Sequence, residues 1–201
     1  GHYSEQQFKD ALTKGVRADG KGLYPAMPYT SYRAMSDEDL HALYTYFMYG
    51  VEPVDRKIPE TKLSFPFSLR FMVKNVGLLF AQTPPDLSEM LSDSGRADEE
   101  ERLSRGQYIV DTLGHCGMCH TPRNLFMAED NRNNYLAGGM IGAWYAPNIT
   151  SDPISGIGAW SEEELLHYFR VGNVPGKGQA GGEMSKAVEH GLRFLSDGDL
   201  K

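Results

Sequence analysis

Only two cysteines occur among the 201 residues of this chain, and a histidine directly follows the second one. The segment reads Cys116-Gly117-Met118-Cys119-His120. A disulfide between cysteines so close together would close a very small, strained loop that stabilises a fold little. A thioredoxin-like redox pair requires a βαβ context, which the flanking residues do not indicate. Structural zinc normally takes four ligands in two pairs, and the chain has no second cysteine pair.

The remaining interpretation of this segment is covalent attachment of haem c, for which Cys-x-x-Cys-His is the signature. Two thiols one helical turn apart can each add to one of the two vinyl groups on the same edge of a porphyrin. The adjacent histidine then faces the iron. The sequence therefore predicts that Cys116 and Cys119 attach one haem c and that His120 is its proximal ligand. Two buried thiols beside an ordinary histidine are the alternative.

Charge and hydropathy argue against two classes of partner. The chain carries 20 Lys plus Arg and 27 Asp plus Glu, a formal net charge of −7. Because binding to phosphates needs a basic surface, we expect no nucleic-acid partner. The most apolar stretch, 71–81, is interrupted by Lys74 and Asn75 and is shorter than the roughly 20 apolar residues that span a bilayer. No membrane-spanning helix is predicted.

The beginning of the chain recurs near its end. The first block of matches has one constant offset, and it pairs Gly1 with Gly158, Tyr3 with Trp160, Ser4 with Ser161, Glu5 with Glu162, Phe8 with Leu165, Leu12 with Phe169, Gly15 with Gly172 and Met27 with Met184. A second block follows after a three-residue insertion, and it pairs Ser36 with Ser196, Asp37 with Asp197, Asp39 with Asp199 and Leu40 with Leu200. Such a pattern predicts two copies of one domain.

The repeat defines the expected domain organisation. Residues 1–50 are predicted to be the C-terminal half of a first domain, 51–97 an interdomain connector with one short helix at 69–80, and 98–201 a second domain without its last helix. The haem motif of the first copy would lie before residue 1. We therefore expect the chain to be an internal piece of a longer protein that binds several haems.

Four segments carry a resemblance to a known family. They read LYPAMPYTSY at 23–32, GHCGMCHTPRN at 114–124, WYAPNIT at 144–150 and GIGAWS at 156–161. In these segments the chain resembles the three-haem cytochrome c subunits of bacterial membrane-associated dehydrogenases that oxidise alcohols, gluconate-type aldose acids and sorbitol-type sugar alcohols.

The resemblance implies an all-α fold of class I cytochrome c-like domains in tandem, one nearly complete and one a C-terminal half. It implies a dehydrogenase catalytic subunit as the electron donor, and further haems, a quinone or a terminal oxidase as acceptors. It also implies a periplasmic location, peripheral on the inner membrane through partners or segments outside this chain. The backbone carbonyl of Pro122 is the expected acceptor for the second ring nitrogen of His120.

The second axial ligand of the iron has several candidates among nine methionines and several histidines. Met118 lies inside the attachment loop on the proximal side and is excluded. Met184 is preferred, because it is the repeat equivalent of Met27, it follows the glycine-rich stretch 180–182, and the resemblance indicates it. The remaining candidates are Met140, Met127 and His190. By the same equivalence, Met27 is predicted to ligate the first haem, and within this chain it should have no iron.

Other residues are predicted to contact the haem or to start helices. Candidates for haem contacts are Trp160, through a propionate, and Arg123 and Asn148, at the haem edge. A helix is predicted over 99–113. Further helices are predicted to begin after the N-cap residues Ser4, Ser36 and Ser161, the last of which forms a capping box with Glu164.

Two kinds of function remain open. With both axial positions filled, a haem c relays single electrons and offers no open site to a substrate, and this is the expected role. The alternative is a haem c oxidoreductase that acts directly on a small molecule at an exchangeable sixth position. Two further alternatives are a haem-based gas sensor, for which no signalling module is visible, and a structural fragment whose attachment site is never filled.

Overall fold

The computed structural model describes residues 3–24, 27–57, 65, 97–124 and 128–200. Within these ranges the chain is mainly helical, and its strands form two short antiparallel pairs. The helical character predicted for the chain is therefore confirmed. The predicted helix at 69–80, most of the connector and Met127 lie outside the described residues. No helix in the described ranges is both long enough and apolar enough to cross a membrane.

The N-terminal part contains three helices. They are α1 (Glu5–Lys14), α2 (Tyr29–Tyr32) and α3 (Asp37–Thr45), and α3 continues as a wider π-helical turn over Tyr46–Gly50. Helices α1 and α3 pack through the Phe8 and Tyr44 rings, whose centroids are 5.7 Å apart. An ion pair of 3.0 Å joins Lys9 to Asp37 at one end of this contact.

The C-terminal part carries the remaining elements. Helix α4 (Ala97–Gln107) continues as a π-helical turn over Tyr108–Leu113, in agreement with the helix predicted at 99–113. After it come α5 (Gly117–His120), β1 (Gly139–Ile141), β2 (Trp144–Ala146), α6 (Glu162–Val171), β3 (Asn173–Val174), β4 (Gly178–Gln179), α7 (Gly182–His190), a 3-10 turn (Leu192–Phe194) and α8 (Asp197–Leu200). Strand β1 pairs with β2 and β3 pairs with β4.

Equivalent helices of the repeat begin and end in the same way. Helix α1 starts at a capping box formed by Ser4 and Gln7, and α6 starts at one formed by Ser161 and Glu164. Both helices end at a glycine in the left-handed conformation, with φ of 62° at Gly15 and 81° at Gly172. A side chain would be strained at either position, so glycine favours both helix ends, and the repeat pairs these two positions.

The starts of α3 and α8 are also alike. The Ser36 hydroxyl accepts a hydrogen bond from the Asp39 backbone N–H at 3.1 Å, and Ser196 accepts the same bond from Asp199 at 3.1 Å. In both copies the serine hydroxyl also donates to the aspartate side chain. The serine N-caps predicted from the sequence are thus confirmed at Ser4, Ser36 and Ser161.

Candidate haem attachment site

The two cysteines lie on a turn that directly follows helix α4. The backbone N–H of Gly114 donates to the Ile109 carbonyl at 2.6 Å, and the N–H of Cys116 donates to the Val110 carbonyl at 2.8 Å. Between them His115 has a φ of 39°, which is uncommon for a residue other than glycine. This left-handed residue redirects the chain from α4 into the single turn of α5, which carries Cys119 and His120.

Both cysteines are free thiols. Burial raises the pKa of Cys116 to about 11, and the nearby carboxylate of Asp111 adds to the shift. Burial also raises the pKa of Cys119. Both side chains are therefore neutral thiols at pH 7. A redox-active Cys-x-x-Cys pair depends on a lowered thiol pKa, so these pKa shifts argue against the thioredoxin-like interpretation.

His120 is held in one orientation. Its side chain is buried, with 7% of the residue exposed, and its Nδ1 lies 2.8 Å from the Pro147 carbonyl oxygen. A carbonyl oxygen only accepts hydrogen bonds, so Nδ1 carries the proton and the lone pair of a neutral ring is on Nε2. Nε2 has no hydrogen-bond partner in the described part of the chain, so its lone pair can bind iron.

The expectation that Pro122 holds His120 is wrong. The Pro122 carbonyl accepts a hydrogen bond from the Asp130 backbone at 2.9 Å, while Pro147, which directly follows β2, holds the histidine ring. His120 and Pro147 are 27 positions apart, so no local pattern in the sequence indicates the pairing.

Strand β1 packs directly against the attachment turn. The Gly138 N–H donates to the His120 carbonyl at 2.7 Å, and the Leu136 N–H donates to the Thr121 hydroxyl at 3.0 Å. At Gly139 an added Cβ would lie 2.9 Å from the carbonyl oxygens of both Cys119 and Thr121. The β1–β2 hairpin therefore holds the peptide that carries the proposed proximal ligand, and this contact requires a glycine at position 139.

Replacing Gly139 with alanine is expected to destabilise the protein by about 1–3 kcal/mol, because the new methyl group overlaps two backbone carbonyls that cannot move independently. Chemical denaturation of the purified chain measures this loss. Gly106→Ala is the matched control: it lies in helix α4 with nothing within 4 Å of its added Cβ, so it should be neutral or stabilise by up to about 1 kcal/mol. Equal stability of both variants would contradict the close contact.

The loop before α7 is covered by Trp144. A Cβ built at Gly182 would lie 2.7 Å from the Trp144 indole, and one at Gly181 would lie 3.4 Å from it. Two residues later, Met184 is half-buried in the first turn of α7. The neighbouring Glu183 carboxylate adds to the raised pKa of Cys119. Trp144 belongs to the same hairpin segment as Pro147, so it links the start of α7 to the hairpin that holds His120. Trp144 was not predicted as a site residue.

The other candidate axial ligands have different surroundings. Met27 lies in the bend before α2, where its N–H donates to the Tyr24 carbonyl at 3.1 Å. Met140 on β1 is 64% exposed, and the side chain of His190, at the end of α7, is also exposed. The hydrogen bond of Met27 to Tyr24 does not connect Met27 to the attachment turn.

The three predicted haem-contact residues have protein partners. Arg123 donates to the Met118 carbonyl at 2.8 Å and pairs with Glu129. Asn148 donates to the Ser155 hydroxyl at 2.9 Å and accepts from the Thr150 N–H at 2.8 Å. Trp160 packs edge-on against Tyr168, with 5.5 Å between ring centroids, and Lys177 lies over its ring. Haem contacts of these residues stay predictions.

The donor set as a whole fits haem c. Two neutral thiols lie on one turn, and the adjacent histidine is oriented by the hydrogen bond of its Nδ1 to the Pro147 carbonyl. In the described ranges no group of three or more His, Cys, Asp or Glu side chains is arranged to hold a metal ion by itself. A porphyrin supplies four of the six ligands of iron, so one histidine and one further side chain complete its coordination.

Comparison with known proteins gives relatives along the whole chain. No protein-family model matches it. It is 45% identical over 200 residues to the fructose dehydrogenase cytochrome subunit of Gluconobacter japonicus, covering 100% of this chain and 40% of that protein. It is 41% identical over 207 residues to the gluconate 2-dehydrogenase cytochrome c subunit of Pantoea cypripedii, covering 100% of this chain and 45% of that protein.

A third relative is a diheme cytochrome c-type protein of Cereibacter sphaeroides, which is 34% identical over 192 residues, covering 94% of this chain and 60% of that protein. The chain thus spans less than half the length of the first two relatives. Together these similarities confirm the resemblance to dehydrogenase cytochrome c subunits.

Proposed function

We infer that this chain, a cytochrome c homologous over its whole length to the cytochrome c subunits of bacterial dehydrogenases, relays single electrons through covalently bound haem c. The observation that carries this conclusion is the oriented His120 beside two free, neutral thiols. A catalytic subunit that oxidises a substrate carrying a CH–OH group is the proposed electron donor. Further haems, a quinone or a terminal oxidase are the proposed acceptors.

The haem supplies one-electron chemistry at iron, and the residues of this chain bind it and set its surroundings. Cys116 and Cys119 would hold it by thioether bonds. Pro147 keeps the proton on Nδ1 of His120, so that Nε2 would be the ligand, and the β1–β2 hairpin fixes the peptide that carries His120. Met184, in the first turn of α7, is the proposed second axial ligand, and its thioether favours the ferrous state and raises the potential.

The repeat and the diheme relative support a tandem arrangement. In this proposal residues 1–50 form the C-terminal half of one cytochrome c-like domain and 98–201 form most of a second, joined by a connector. Met27 would then serve a first haem whose attachment residues are not in this sequence. The proposed location is the periplasm, where haem c is attached, with membrane association through partners or other segments.

The test is a pyridine haemochrome spectrum of the chain matured in a bacterial periplasm, combined with its intact mass. We expect one covalent haem per chain, joined by two thioether bonds. Chain without covalent haem, despite maturation of a known cytochrome c in the same cells, would overturn the proposal.

Carbon monoxide distinguishes the proposed relay from an oxidoreductase that acts at the iron. With both axial positions filled, the visible spectrum of the reduced native protein should not change when carbon monoxide is added. The protein should bind the gas only after denaturation. Binding by the native protein would instead favour the alternative function.

A further inference from the structure

The N-terminal repeat touches the attachment turn of the C-terminal repeat through one aromatic contact. The Tyr32 ring meets the His115 ring edge-on, with 5.6 Å between centroids and 67° between planes. His115 is the left-handed residue directly before Cys116, and Tyr32 is the last residue of α2. A side chain from one repeat therefore packs on the residue that turns the chain of the other repeat toward its attachment cysteine.

A second contact holds the same two parts together. The Tyr108 hydroxyl accepts a hydrogen bond from the Ser36 N–H at 3.0 Å and donates to the Asp39 carboxylate at 2.6 Å. Tyr108 lies in the π-helical turn that leads from α4 to the attachment turn. The start of α3 is thereby fixed to the π-helical turn that directly precedes Gly114 and His115.

Helix α4 is also bonded by Asp199 of its own repeat, which is the repeat equivalent of Asp39. Arg105, one turn before Tyr108, pairs with Asp199 at 2.9 Å. Asp199 and Asp39 are matched positions of the repeat, and each is bonded by the serine that caps its helix. Helix α4 thus lies between the starts of α3 and α8, and the Tyr32–His115 contact lies at its C-terminal end.

We propose that Tyr32 is a positioning residue for the haem attachment turn of the other repeat. Tyr108 keeps Tyr32 next to this turn, because it bonds the start of α3, which closely follows Tyr32 in the chain. Tyr32 packs on His115 and keeps the backbone of that residue left-handed, which sets the direction of Cys116. The same ring keeps water away from the turn. This inference rests on the proposed function, since it concerns the haem bound at Cys116, Cys119 and His120.

The expected effect follows from the surroundings of the iron. Exposure of a haem site to water stabilises the more highly charged ferric state, so it lowers the reduction potential. Removal of the Tyr32 ring should therefore lower the potential of the attached haem, although Tyr32 lies far from the motif in sequence and is not a ligand.

The experiment compares Tyr32→Ala, Tyr32→Phe and Tyr49→Ala in the haem-loaded chain. Tyr49 lies in the same repeat and is 79% exposed, so it is a matched control for loss of a tyrosine ring. Spectroscopic redox titration should show about a threefold lower ratio of reduced to oxidised haem at a fixed ambient potential for Tyr32→Ala, about half of the 59 mV that a tenfold change represents. Tyr32→Phe keeps the ring and should match the unaltered chain, as should Tyr49→Ala.

A double-variant cycle tests the route through His115. In a His115→Gly background the imidazole that Tyr32 packs on is absent, so Tyr32→Ala should shift the potential less than it does in the unaltered chain, and an equal shift in both backgrounds would exclude the route through His115. An unchanged potential in Tyr32→Ala, or an equal shift in Tyr49→Ala, would overturn the inference.

The haemochrome spectrum of the same samples distinguishes failure of the role of Tyr32 from failure of the proposed function. Covalent haem with an unchanged potential refutes only the role of Tyr32. Absence of covalent haem in the unaltered chain refutes the proposed function itself.

Discussion

Replacing Cys116 and Cys119 together with serine is expected to eliminate covalent haem completely. The chain has only these two cysteines, so no other thiol can form a thioether bond to a vinyl group. Haem extraction with acidified acetone followed by intact-mass measurement gives the result directly. Each single variant should retain haem through one thioether, with a haemochrome absorbance maximum shifted to the red by the vinyl group that stays free.

Met118→Leu is the matched control for this experiment, because Met118 lies between the two cysteines and is not expected to bind iron. Its backbone carbonyl, which accepts a hydrogen bond from Arg123, is unaffected by the substitution. This variant should carry a full complement of haem. Covalent haem in the double serine variant would contradict the proposed attachment site, and loss of haem in Met118→Leu would show that any change in the turn blocks maturation.

Replacing Met184 with alanine is expected to remove the methionine-to-iron charge-transfer band near the red edge of the visible spectrum of the oxidised protein. The reduction potential should fall by a sizeable part of the about 0.8 V range over which axial ligands tune haem proteins, because a thioether sulfur favours ferrous iron. Covalent haem should be retained, since the cysteines are unaltered. Optical spectra and a redox titration of the purified chain measure both changes.

The matched control is Met140→Ala, which removes a methionine from β1 that is 64% exposed. It should leave the band and the potential as they are. A surviving band in Met184→Ala would exclude Met184 as the ligand, and its loss in Met140→Ala would assign that role to the hairpin. Met184 is the expected ligand because it is the repeat equivalent of Met27 and lies in the first turn of α7, whose first residue, Gly182, contacts Trp144 of the β1–β2 hairpin.

Much of the local structure could be predicted because it depends on residues only a few positions apart. A serine hydroxyl reaches the N–H groups of the next turn, so Ser4, Ser36 and Ser161 identify three helix starts. The matched glycines Gly15 and Gly172 end two helices for an equally local reason. The spacing of the cysteines and the histidine likewise places all three on one turn without knowledge of the rest of the fold.

Contacts between distant parts of the chain could not be predicted in the same way. The sequence indicated that the second nitrogen of His120 needs an acceptor, but only the fold of the β1–β2 hairpin selects Pro147 instead of the nearby Pro122. Trp144 over the glycine loop before Met184 and Tyr32 against His115 are of the same kind.

By itself, then, the sequence determined the attachment motif, the repeat, the helix starts and the preferred ligand type. The tertiary structure decided which carbonyl orients the histidine, which ring packs on the glycines before Met184, and which side chain of one repeat contacts the attachment turn of the other. The physical reason is the range of the interactions. Capping and helical spacing act within a turn or two of the chain, whereas the partners of His120 and His115 depend on how separate elements pack, which no local pattern encodes.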